Sequence, residues 1–130
     1  MMKLQVTTEY AIQILQYLHE NPGLWTAHEL VSATGITYPF FVKIANRLAK
    51  AGLLEAVQGR NGGYQLKKSA KEISIYDVVV CIEGGPKISR CMEGGTPCAE
   101  EEKRHCSVNQ FFCNLHHIVV VQMSEQKIAN

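Results

Sequence analysis

The 130-residue chain is 46% hydrophobic with a formal net charge of +1, enough apolar material for one modest core and too little length for two independent ones. Its first residues lack a charged segment followed by a long apolar run, and no stretch approaches the ~18 consecutive apolar residues of a membrane span, so a cytoplasmic protein without membrane contact is expected. The near-neutral total hides an uneven distribution: residues 37–71 carry seven basic side chains against Glu55, a net of +6, while residues 1–36 sum to −2 and residues 72–130 to −3. A basic middle between acidic flanks fits a nucleic-acid face attached to a body with another task.

Tyr10, Ala11, Ile14, Leu15, Tyr17 and Leu18 recur at helical spacing, which predicts a first helix capped by Thr7 or Thr8 and ended by Asn21-Pro22-Gly23. Thr26 followed three residues later by Glu29 forms a capping box for a short second helix, with Leu30, Val31 and Ala33 inward and Gly35 as its stop. Thr37 then caps a third helix running to about Lys50, whose buried stripe is Phe41, Ile44, Ala45 and Leu48. Two helices around a glycine turn make a helix-turn-helix. The residues of the third helix left over from the core are Thr37, Tyr38, Pro39, Phe40, Lys43, Asn46 and Arg47. The first turn of such a helix meets base edges, and Tyr38 and Phe40 can touch thymine methyls, although Phe40 could equally join Phe41 in the core. Lys43 and Arg47, four apart on one face, suit phosphate contacts, with a merely solvated basic face as the alternative.

Beyond Ala51-Gly52 the pattern turns extended: residues 53–57, then Gly59-Arg60-Asn61-Gly62-Gly63, then Tyr64-Gln65-Leu66. Asn-Gly between two apolar runs predicts a hairpin with positive φ in the turn, a wing with Arg60 and Asn61 at its tip, within reach of phosphate or a minor groove. Ser74 caps a fourth helix from Ile75 to about Ile82, stopped by Gly84-Gly85-Pro86, with Cys81 as a small core residue. From about Ser107 a last helix carries Val108, Phe111, Phe112, Leu115, Ile118 and Val119. So much apolar surface on a terminal helix predicts the seam of a homodimer, which also matches palindromic DNA half-sites. The expected fold is mainly α: a winged helix-turn-helix with a two-stranded wing (residues 1–72), joined to a cysteine-loop sensor and long C-terminal dimerisation helix (residues 73–130) in one compact unit.

Five cysteines are an odd number, and in a reducing compartment their clustering favours metal or redox chemistry over a disulfide framework. Cys91, Cys98 and Cys106 lie in a stretch containing Gly94, Gly95 and Pro97, separated by six and seven residues. That is not the paired C-x2-C of structural zinc sites, and leaves an iron–sulfur cluster or a bare thiol switch. A redox or cluster carrier without DNA function is opposed by the basic segment and the wing. No nucleophile–base pairing or phosphate-cradling glycine loop is present, so no enzymatic activity is expected.

In their order, the helix-turn-helix, the wing GLLEAVQGRNGGYQL, the helix IYDVVVCIEGG and the three-cysteine loop resemble the Rrf-type winged-helix transcription regulators, in particular their cluster-binding IscR- and NsrR-like members. The resemblance covers nearly the whole chain and rests most on Gly59, Gly62, Gly63 and Tyr64, on residues 78–84 and on the cysteine trio. It implies a dimeric repressor or activator of double-stranded DNA with a palindromic operator, whose [2Fe-2S] or [4Fe-4S] cluster changes DNA affinity when gained, lost, oxidised or nitrosylated. It also implies Cys91, Cys98 and Cys106 as three ligands. The IscR-like pattern has a histidine three positions after the third cysteine, where this chain has Asn109. The NsrR-like pattern has a carboxylate near the start of the first helix that reaches across the dimer, and Glu9 stands there. An ordinary solvated glutamate is the alternative for Glu9. Cys113 would lie ~10.5 Å along a helix axis from Cys106, which ranks it below Glu9. His105 adjoins a ligand and ranks with Cys113, while His116 and His117 read as surface or interface residues.

Overall fold

The structure, a computed structural model, describes residues 4–86 and 107–130. Cys91, Cys98, His105 and Cys106 lie outside the described residues. In chain order come α1 (Val6–Glu20), α2 (Ala27–Thr34), α3 (Tyr38–Lys50), β1 (Leu54–Val57), β2 (Gly63–Leu66), α4 (Ile75–Glu83) and a last helix, α5 (Ser107–Glu125). The core forms where α1, α2, α3, β1 and α4 meet. Ile14, Leu15, Leu30, Ile36, Phe41, Ile44, Leu48, Leu54, Ile73 and Val78 are all buried there, each contributing roughly 1.5–3 kcal/mol by leaving water.

The helix signals in the sequence act mostly as expected. Thr26 Oγ1 accepts the Glu29 amide at 3.1 Å while Glu29 Oε1 accepts the Thr26 amide at 3.2 Å, and Gly35 ends α2 in the left-handed conformation at φ 75°. Ser74 and Asp77 form a second capping box, at 2.9 and 3.0 Å, for α4. Phe41, Ile44, Ala45 and Leu48 are the buried stripe of α3. Pro39 sits in its first turn, where a missing N–H costs nothing.

Several expectations are corrected. α1 starts at Val6 rather than after a threonine cap: Gln5 is the N-cap residue without a side-chain cap, and Thr8 is a buried residue inside the helix. Ala33 faces solvent, because only Leu30 of α2 is fully buried and Val31 is half-buried. Thr37 occupies the N-cap of α3, but its side chain makes no capping bond. Cys81 is only half-buried at the margin of the core.

The wing is an antiparallel hairpin pairing Leu54 with Leu66, Glu55 with Gln65, Ala56 with Tyr64 and Val57 with Gly63. Its turn differs from the expected Asn-Gly type. No residue other than glycine has positive φ among the described residues, so Asn61 does not supply it. Because Gly63 already pairs with Val57, the connection is the longer one over residues 58–62, closed by the Gly62 amide on the Gly59 carbonyl at 3.1 Å. β2 also pairs on its outer edge: Trp25 and Tyr64 exchange both backbone hydrogen bonds, at 3.0 and 2.7 Å. The wing is thereby fastened to the α1–α2 connection.

α5 packs on α4, and the tail beyond it returns along residues 70–74. Ile75 N–H donates to Gln126 O at 2.8 Å, Ile128 N–H to Ile73 O at 2.8 Å and Ala129 N–H to Ala70 O at 3.2 Å. None of the residues of α5 is buried, and Val108, Phe111 and Ile118 are each more than half exposed.

Candidate nucleic-acid interface and cysteine segment

α3 and the wing present one surface because the core fixes them to each other. Phe41, fully buried on the inner face of α3, meets Tyr64 of β2 edge-on with ring centroids 5.4 Å apart. Holding Phe41 inward turns the preceding residues outward, so Thr37, Tyr38, Pro39 and Phe40 are all exposed. Phe40 is 52% exposed, which places it on the surface rather than beside Phe41. A large apolar ring and a free threonine side chain at the first turn of a helix are suited to thymine methyls and base edges. Lys43 is exposed one turn further on, and Arg60 and Asn61 are exposed at the wing tip.

Arg47 is placed differently. Its side chain is exposed, but Nη1 donates to the carbonyl of Ile82 at 2.9 Å. The guanidinium therefore already has an internal partner at the C-terminal end of α4. The Cys81 thiol donates to the carbonyl of Arg47 at 3.3 Å. Burial pushes the Cys81 thiol up, with the Arg47 charge partly opposing, so Cys81 is held protonated and weakly nucleophilic.

His28 of α2 belongs to the same surface, although nothing in its local sequence marks it. Its ring stacks on Tyr38 with centroids 5.1 Å apart and 18° between planes. Ten residues separate the two, and only the crossing of α2 and α3 brings them together.

Of the candidate cluster ligands, Glu9 and Cys113 are described. Glu9 is exposed in the first turn of α1, where a carboxylate is favoured by the helix dipole. Cys113 is exposed on α5, its thiol directed to Asn109 Oδ1 at 3.7 Å. His117 is exposed as expected, whereas His116 is half-buried and its Nδ1 has no hydrogen-bond partner among the described residues. No three His, Cys, Asp or Glu side chains converge on a metal position among the described residues. As a donor set, three thiolates with one carboxylate suit iron better than a hard cation. No helix of the described residues is long and apolar enough to cross a membrane.

Comparison with known proteins gives a consistent result. The family model described as Rrf2, iron-dependent transcriptional regulator, matches residues 4–130. Protein aau3 of Rhizobium meliloti is 39% identical over 95 residues, covering 72% of this chain and 62% of its own. The HTH-type transcriptional regulator NsrR of Shouchella clausii is 33% identical over 97 residues, covering 73% and 65%. The chain thus spans less than two thirds of the length of either relative. Among solved structures, B. subtilis CymR, described as the global cysteine regulator, superposes with a TM-score of 0.73 at 18% identity, over 98% of this chain and 94% of that one. IscR of T. potens superposes with a TM-score of 0.73 at 19% identity, over 98% and 83%. At these identities the two structures establish the winged-helix fold alone.

Proposed function

Since the chain belongs to the Rrf2 family of transcriptional regulators, we propose that it is a cytoplasmic homodimer that binds a palindromic operator in double-stranded DNA and adjusts its affinity through an iron–sulfur cluster. Residues 37–40 and His28 meet base edges, and Lys43, Arg60 and Asn61 meet the backbone. The observation that carries the DNA-binding reading is the outward first turn of α3 beside an exposed wing tip, within a segment of net charge +6.

The dimer forms through α5. A 19-residue helix with no buried residue, exposing Val108, Phe111 and Ile118, would otherwise leave a large apolar face in water. A second copy covers it and spaces two recognition helices for two half-sites. The regions 1–72 and 73–130 then work as one unit, since α4 packs on both α1 and α3.

Cys91, Cys98 and Cys106 would hold the cluster as thiolates, and Glu9 of the partner subunit would complete the set. When bound, the cluster supplies a centre whose charge and integrity respond to oxidants, nitric oxide and iron supply. The protein's part is to convert that state into a position of α3. Anaerobic incubation with ferrous iron and sulfide tests the reading. Uptake of both with new visible absorbance is expected, lost in Cys91→Ser, Cys98→Ser or Cys106→Ser and weakened in Glu9→Ala. A chain that takes up neither, yet changes DNA affinity on reversible thiol oxidation, is a thiol-switch regulator instead.

A further inference from the structure

Three helix ends meet where the chain leaves α4. The start of α1 and the end of α4 carry backbone groups that their own helix cannot satisfy, and here side chains of neighbouring helices satisfy them; at the end of α3 the Arg47 carbonyl, which already accepts the Ala51 amide at 3.1 Å, takes a second bond from a neighbouring side chain. Glu83 Oε2 accepts the Gln5 amide at 3.0 Å and the hydroxyl of Thr8, a residue with no exposed surface. Arg47 Nη1 donates to Ile82 O at 2.9 Å, and Cys81 Sγ donates to Arg47 O at 3.3 Å. The charges suit their places: a carboxylate faces the positive end of α1, and a guanidinium faces the negative end of α4. Bonds of this charge-assisted kind are the stronger ones.

Three consecutive residues, Cys81, Ile82 and Glu83, therefore grip both the first turn of α1, which carries Glu9, and the last turn of the recognition helix. In sequence, Cys91 follows Glu83 by eight residues. Resting on the reading of Cys91, Cys98 and Cys106 as the sensor, we propose that Glu83 and Arg47 are positioning residues that transmit the state of the cysteine segment to α3. A displacement at the end of α4 moves α1 and α3 together because both are bonded to it, and Arg47 acts by holding α3 rather than by binding phosphate. The two roles of Arg47 are separable. A phosphate contact strengthens DNA binding alike in both sensor states, whereas a positioning contact sets the ratio between them.

The test uses the full chain as wild type, Glu83→Ala, Glu83→Gln and Arg47→Met, with a DNA fragment selected by the wild-type protein from a random-sequence pool. Amide hydrogen exchange is followed in the cluster-free proteins, and DNA affinity is measured with and without reconstituted cluster. Glu83→Ala is expected to speed exchange about tenfold both in the first turn of α1 and in the last turn of α3, and to bring the loaded-to-free affinity ratio within about twofold of unity. Glu83→Gln keeps an acceptor oxygen and is expected to show a smaller increase at the same two places, which decides the matter if the alanine variant does not fold. Arg47→Met is expected to collapse the ratio as well. Faster exchange confined to α1, or an Arg47→Met protein that loses affinity equally in both states, overturns the proposal. If wild type takes up no cluster the sensor reading fails, and the exchange arm still decides whether the three helix ends form one unit.

Discussion

Gly63→Ala should separate the wing from the body of the protein. At Gly63 φ is 153°, and a Cβ built there would stand 2.4 Å from the Trp25 carbonyl oxygen and 2.7 Å from its carbon. Both obstacles are backbone atoms and cannot swing aside as a side chain would. Relief requires opening the Trp25–Tyr64 bridge, whose two hydrogen bonds are 3.0 and 2.7 Å long, or distorting β2. Two such bonds contribute ~1–3 kcal/mol together, and the disallowed backbone adds about 1–3 kcal/mol, so a total loss of about 2–6 kcal/mol is expected. Gly59→Ala is the control: its φ is 106°, yet nothing lies within 4 Å of the added carbon, leaving a strain of about 1–2 kcal/mol. Urea unfolding followed by circular dichroism reads both values as midpoint shifts. Trp25, the only tryptophan, reports locally, because its ring rests edge-on against Tyr17 and its Nε1 donates to Asn21 O at 2.9 Å. Its native emission should move to the red in Gly63→Ala and not in Gly59→Ala. Equal destabilisation of the two variants, within about 0.5 kcal/mol, would refute the bridge as the anchor of the wing.

Arg60→Ala should lower the slope of log affinity against log salt by about 1.8, the value of one phosphate contact from each of the two subunits of the DNA-bound dimer; an unchanged slope would return Arg60 to the solvent. Phe111→Asp and Ile118→Asp should yield monomers in analytical ultracentrifugation while keeping the wild-type circular dichroism, since neither side chain is buried within its own subunit; a persisting dimer would move the seam off α5. Folding raises the Cys81 thiol through burial, against the smaller opposing effect of Arg47. The stability it lends is complete below the unfolded thiol's pKa and is lost as pH rises through the folded value. Iodoacetamide at pH 8 should therefore label Cys81 more slowly in the native than in the urea-unfolded protein, as read by mass spectrometry of tryptic peptides, and equal rates would contradict this.

Where local chemistry governs, the chain was legible. The capping boxes at Thr26 and Ser74, the stop at Gly35 and the four-residue stripe of α3 are short-range patterns, and each does in space what it does in sequence. The turn of the wing departs from the Asn-Gly pattern because that signal is local, whereas the ladder between β1 and β2 extends to the Val57–Gly63 pair and leaves residues 58–62 as the connection, with Asn61 at negative φ. The same limit hid the role of Glu83, which sits 75 positions from Thr8, and the stacking of His28 on Tyr38. It also made Arg47 look like a free surface cation, since nothing in its own helix reveals the Ile82 carbonyl. Thr8 offered a misleading cap signal, as a threonine near a helix start serves equally well turned inward toward a carboxylate from another helix.

If cluster state sets DNA affinity, titrating one operator fragment with cluster-loaded and cluster-free protein at a single fixed salt concentration, under anaerobic conditions, will separate the two forms. A difference of at least about fivefold is expected, the lower end of ordinary allosteric coupling, and it should disappear in Cys98→Ser. Equal affinities for the two forms of a protein shown by iron and sulfide analysis to differ in cluster content would contradict it.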